Sequence, residues 1–96
     1  MRRRYLVAYD ICHPRRWRLV YRKMRGFGQH LQLSVFLCDL TPQERVKLTV
    51  ALHELIDLLE DKVMIADLGP SEGRPVEEIE TIGVAITFEE RGAHVV

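Results

Sequence analysis

Tyr5–Ile11 alternates Tyr5, Val7, Tyr9 and Ile11 against Leu6, Ala8 and Asp10. Both sets stay apolar until Asp10, which predicts a strand covered on both faces. The period changes at Pro14. Trp17, Val20, Tyr21 and Met24 then recur at helical spacing to about Arg25, with proline in the first turn and Gly26-Phe27-Gly28 as the stop. Arg15, Arg18, Arg22 and Arg25 form a second stripe on that helix.

Gln29–Leu40 is extended, Leu31, Leu33, Val35 and Leu37 alternating with Gln32, Ser34, Phe36 and Cys38. Without Gly or Pro, the alternation leaves open whether this is one strand or a hairpin. Thr41-Pro42-Gln43-Glu44 is a capping box with proline at the first helical position. The helix it opens is expected to run to about Glu60, burying Leu48, Leu52, Leu55 and Leu59 with Ala51 and Ile56. Lys62–Leu68 reads as a strand, Ser71–Pro75 as a loop, and Val76–Phe88 as a further strand in which Ile82, Val84, Ile86 and Phe88 alternate. Ala93–Val96 could add an edge. This order implies one α+β domain over residues 1–96, an open sheet with two helices on one face, best matched by the ferredoxin-like arrangement. The other face needs cover, and a symmetric homodimer would supply it.

Composition narrows the class. The chain has 96 residues, 47% of them hydrophobic, enough for one small core and too apolar for a disordered chain. The apolar run after Arg2-Arg3-Arg4 is too short for a signal peptide, and no stretch reaches membrane-spanning length, so a soluble cytoplasmic protein without a membrane partner is expected. Cys12 and Cys38 fit neither a disulfide scaffold nor a zinc site. His13, His30, His53 and His94 lack metal-ligand spacing and read as solvated or hydrogen-bonded side chains.

The zero net charge hides a division. Residues 1–30 carry nine Lys or Arg against the single acid Asp10, a balance of +8; the remainder carries five against thirteen, a balance of −8. Eight of the nine early cations are Arg, the side chain suited to phosphate, so a nucleic-acid partner competes with internal pairing to the acidic half. Asp10 stands where a strand leaves the sheet. It is either a turn or capping acid before the Pro14 helix, or a ligand group. One carboxylate is a sparse Mg²⁺ site, but two chains meeting at a two-fold axis would supply a pair. Ser34 suits a hydroxyl donor to phosphate better than a nucleophile. Tyr9 and Phe36 suit either the core or stacking on bases.

Tyr9-Asp10-Ile11, Arg15-Arg16, the basic helix closing at Gly26–Gly28, Gln32-x-Ser34-Val35-Phe36, Asp39-Leu40 and a capped second helix together resemble the small CRISPR-associated Cas2 family, the compact partner of the CRISPR integrase. The resemblance spans about residues 4–70. It implies a ferredoxin-like fold, a homodimer with facing sheets, and a hairpin turning near Leu33-Ser34. A divalent metal such as Mg²⁺ would be held by two Asp10 side chains, making Asp10 both metal ligand and catalytic residue. The C-terminal strand, Glu77–Phe88 within a 77–96 tail, would pair with the other protomer or the integrase. His30 departs from an Arg common in the family, Leu37 from a polar residue, and the segment after Pro70 is more acidic.

Three functions follow from these features: a metal-dependent endonuclease on RNA or DNA, a non-catalytic DNA-bridging adaptor for the integrase, or, setting the resemblance aside, a ferredoxin-like ligand-binding dimer. The arginines favour the first two. Arg15, Arg16, Arg18, Arg22 and Ser34 are the candidate phosphate contacts.

Overall fold

The structure, a computed structural model, describes residues 1–72 and 79–86. Its elements are β1 (Arg3–Asp10), α1 (Pro14–Arg25), β2 (Gly28–Gln32), β3 (Val35–Leu40), α2 (Pro42–Leu55) and β4 (Lys62–Pro70). The four strands form one sheet in the order β2-β3-β1-β4 with every pairing antiparallel. This βαββαβ order with β1 and β3 at the centre is the ferredoxin-like arrangement expected from the pattern.

Strand alternation sorts the side chains into two layers. Val7, Phe36 and Cys38 are fully buried and Tyr5 and Tyr9 nearly so, packed against Val20 and Met24 of α1 and Leu48 and Leu52 of α2. Leu6 pairs with Leu37 and Ala66, and Ala8 with Val35 and Met64, on the opposite side of the pleat. No helix among the described residues covers that second layer; Leu37 keeps 4% exposure, but Met64 is 65% exposed.

Local chemistry explains most boundaries. Thr41 accepts a hydrogen bond from the Glu44 N–H while the Glu44 carboxylate accepts one from the Thr41 N–H, the reciprocal box that starts α2. Residues 29–40 are a hairpin, with Leu33 at a φ of 29° in its two-residue turn. Leucine pays backbone strain there, in a region usually left to Gly or Asn. Gly28 lies against β3. A Cβ at that position would sit 2.6 Å from Cys38 Sγ and collide with the Leu37 carbonyl as well, so β2 can start this close to β3 only with a bare backbone.

Helix α2 ends earlier than its periodicity suggested. Leu55 is its last residue, Ile56 is extended with a φ of −92° and ψ of 163°, and Leu59 is 97% exposed instead of buried. The chain turns because Asp57 and Asp61 offer the backbone other partners. The Asp57 carbonyl accepts from the Glu60 and Asp61 amides, its carboxylate accepts from the Leu59 amide, and the Asp61 carboxylate accepts from the Asp57 amide. Strand β4 runs two residues past the expected Leu68, to Pro70. Residues 79–86 add no strand to this sheet, and Ile82 and Val84 are each 94% exposed. The rest of the expected Val76–Phe88 strand and the Ala93–Val96 edge lie outside the described residues.

Candidate nucleic-acid interface and metal ligand

Asp10 is the last residue of β1, opposite Lys62 in the β4 register, and it is exposed. It does not cap α1. His13 does that, its Nδ1 accepting the Arg15 amide at 3.1 Å. Among the described residues Asp10 takes part in no hydrogen bond of its side chain and no ion pair. Its carboxylate therefore stands free at the end of the sheet where the chain turns into the arginine-rich helix.

The cations divide into two groups. Arg2 pairs with Glu44 at 3.0 Å, Arg3 with Asp67 at 3.0 Å, and Arg16 with Asp61 at 2.8 Å and Glu60 at 2.9 Å. Part of the early positive charge thus answers the protein's own acidic half. Arg15, Arg18 and Arg22 are exposed and make no ion pair among the described residues. At 100° per residue they fall within about 60° of one another around the helix axis. They form a cationic ridge beginning five residues after Asp10.

Arg16, grouped with them by sequence, is held differently. Its side chain is 25% exposed and lies against the Asp61 carboxylate, which is fully buried. Hydrogen bonding from Arg16, opposed by burial and reinforced by the Asp57 and Cys12 amides, holds the Asp61 carboxyl well below the usual range. Arg16 is held correspondingly further toward its charged form, chiefly by its hydrogen bond to Asp61. Burial and the neighbouring acids Asp61, Asp10 and Glu60 push the Cys12 thiol up, so it carries little thiolate at neutral pH.

Ser34 sits in the hairpin turn. Its Oγ accepts from Trp17 Nε1 at 2.8 Å and its carbonyl accepts the Tyr9 amide at 3.0 Å. Trp17 thereby ties α1 to the turn, and the Ser34 carbonyl ties the turn to the residue before Asp10. Phe36 has no exposed surface and Tyr9 keeps 6%, so neither ring presents a face to a base in this chain. They stack with centroids 6.3 Å apart, and Tyr21 and His30 close the cluster on Phe36 at 5.7 and 5.0 Å. The Tyr9 hydroxyl is buried without a partner in hydrogen-bonding geometry, although Ser34 lies near enough to favour its ionised form slightly. Burial, with Tyr21 adding to it, still pushes Tyr9 up to about 12.

Comparison with known proteins places the chain in a family. A family model described as CRISPR associated protein Cas2 matches residues 1–73. The chain belongs to the Cas2 family. A Rhodospirillum rubrum protein named CRISPR-associated endoribonuclease Cas2 1 is 44% identical over 92 residues, 96% of this chain and 89% of that protein. A Geobacter sulfurreducens CRISPR-associated endoribonuclease Cas2 is 48% identical over 68 residues, 71% of this chain and 72% of that protein. The crystal structure of Streptococcus pyogenes Cas2 superposes with a TM-score of 0.72 at 33% identity, covering 83% of this chain and 99% of that one. In this chain Asp10 and the Ser34 turn lie at the same end of the sheet, where α1 begins.

At this strand end the described residues offer a divalent cation the unpaired carboxylate of Asp10. Among the described residues no group of three or more His, Cys, Asp or Glu side chains is arranged to hold a metal. A lone hard oxygen ligand suits Mg²⁺, which keeps several waters and commonly completes its shell with phosphate oxygens. Asp10 fits that role, and a second protomer's Asp10 would fit it better. No helix among the described residues is long and apolar enough to cross a membrane.

Proposed function

We propose that this Cas2 family member acts in CRISPR adaptation as a homodimer that grips nucleic acid through the α1 ridge and hydrolyses phosphodiesters of RNA or DNA with Mg²⁺ held at Asp10. The carrying observation is the exposed Asp10 carboxylate, without an ion-pair partner among the described residues, beside Arg15, Arg18 and Arg22. A divalent cation bound there would supply an activated water and offset charge on the phosphorane. The protein's own part is to anchor flanking phosphates on the ridge, to offer the Ser34 hydroxyl proton to a phosphate oxygen, and to aim the carboxylate from a rigid strand end. The dimer reading rests on the apolar layer of Leu6, Ala8, Met64 and Ala66, which no helix among the described residues covers.

The relatives' names support the nuclease reading, and the sparse donor set supports a second one: a DNA-bridging adaptor for the CRISPR integrase that needs the arginines and not the metal. Asp10→Asn separates them, because it keeps size and hydrogen bonding while removing the charge. The nuclease reading expects cleavage of RNA or DNA by the wild type with Mg²⁺, lost on chelation and in Asp10→Asn. Equal cleavage by the variant would assign Asp10 to the turn, and no cleavage by either protein would leave the adaptor.

A further inference from the structure

Asp61 receives four N–H groups: the Cys12 amide at 2.8 Å, the Asp57 amide at 2.9 Å, Arg16 Nε at 2.8 Å and Arg16 Nη2 at 3.3 Å. A carboxylate has about four lone-pair directions, so this one is saturated. With its side chain fully buried as well, it has nothing left for a metal. Its position is nonetheless next to the candidate ligand. Asp10 and Lys62 close the β1–β4 ladder, and Asp61 is the residue immediately beyond it. Cys12, whose amide it holds, is two residues after Asp10, and the Cys12 thiol donates to the Glu60 carbonyl at 2.9 Å. The connection from β1 to α1 is therefore fastened to the connection from α2 to β4 through one buried side chain, with Arg16 of α1 as the third strap.

We propose that Asp61 is a positioning residue for Asp10: with Arg16 it locks the residues after the strand, so that the Asp10 carboxylate is presented outward in a single orientation. This rests on the reading of Asp10 as the metal ligand. It also gives Arg16 a role other than phosphate contact. Its charge neutralises Asp61, so a buried anion beside Asp10 does not oppose a second negative charge at the mouth of the site. Groups that orient a metal-binding side chain commonly change metal affinity by about 10- to 100-fold when removed.

The test is a Mn²⁺ titration followed by electron paramagnetic resonance, together with hydrogen exchange at the Cys12 amide, on wild type, Asp61→Asn, Glu60→Gln and Asp10→Asn. Asp61→Asn keeps the shape and loses the charge that grips Arg16. It is expected to weaken Mn²⁺ binding about tenfold and to speed exchange at Cys12. Glu60→Gln, which loses only the outer partner of Arg16, is expected to change neither. Should Asp61→Asn fail to fold, Arg16→Lys, which keeps the charge but not the forked grip, is expected to give the same two changes. Wild-type Mn²⁺ affinity in a folded Asp61→Asn or Arg16→Lys protein, with binding lost in Asp10→Asn, would overturn the positioning role alone. Wild-type affinity in Asp10→Asn would overturn the metal reading, and the positioning claim with it.

Discussion

The division between free and clamped arginines makes a quantitative prediction about nucleic-acid binding. Three exposed arginines, Arg15, Arg18 and Arg22, belong to the ridge of each protomer, so the proposed dimer would neutralise about six phosphates and release about 0.9 counterion for each on duplex DNA. The slope of log K against log salt is then near −5, whereas counting Arg16 as a fourth contact per protomer would give about −7. Fluorescence anisotropy on a labelled duplex between about 50 and 200 mM salt spans a range wide enough to tell these apart. Arg18→Ala removes one contact per protomer and is expected to flatten the slope by about 2 units, with similar weakening on unrelated sequences. Arg16→Ala is expected to change the slope by less than about 1 unit, because the guanidinium it removes is spent on Asp61 rather than on phosphate. An unchanged slope in Arg18→Ala would return the ridge to surface ion pairing. An equal loss in both variants would show that Asp61 yields Arg16 to phosphate.

Tyr9→Phe deletes a buried hydroxyl without a partner, so its melting temperature is expected to match or exceed wild type, by up to about 1 kcal/mol in stability. Because the folded Tyr9 phenol is raised to about 12, its share of stability is complete below the unfolded value of about 10 and lost as pH rises through 12. The Phe variant is expected to lack that part of the alkaline decline in urea midpoint. Asp61 behaves oppositely. Its folded value is depressed, so its contribution is present above about pH 4 and lost as pH falls toward the folded value, and the gap between wild type and Asp61→Asn is expected to narrow below about pH 4. A constant gap down to about pH 2 would show that the Arg16 pairing does not contribute to folding. Met64→Asp places a charge in the apolar layer opposite the helices and is expected to give a monomer in light scattering at concentrations where the wild type is dimeric. A dimer of unchanged stability would move the interface elsewhere.

The elements were legible because their causes are local. Thr41, Pro42 and Glu44 specify a helix start within four positions, and Val20 with Met24 declare a buried stripe within one helix. The alternation of residues 29–40 was ambiguous because each residue suits a strand equally well. The family resemblance supplied the turn, and the backbone of Leu33 shows that the turn accepts a strained leucine for it. The end of α2 was missed for a definite reason. Leu55, Ile56 and Leu59 continue an apolar periodicity, but Asp57 and Asp61 capture the amides of residues 57, 59, 60 and 61 and turn the chain before Leu59 can be buried. Asp10 could be singled out because it is the sole acid among the first cations. Whether it capped the helix was decided only when His13 took that place. Arg16 and Asp61 mark the limit most clearly. In sequence one is another cation of a basic helix and the other an acid in an acid-rich half, 45 residues apart. Helical and strand periods carry information over a few residues, whereas this pairing depends on β4 lying antiparallel beside β1, which brings the start of one strand to the end of the other. Only the folded sheet tells the arginine that is free from the one that is held.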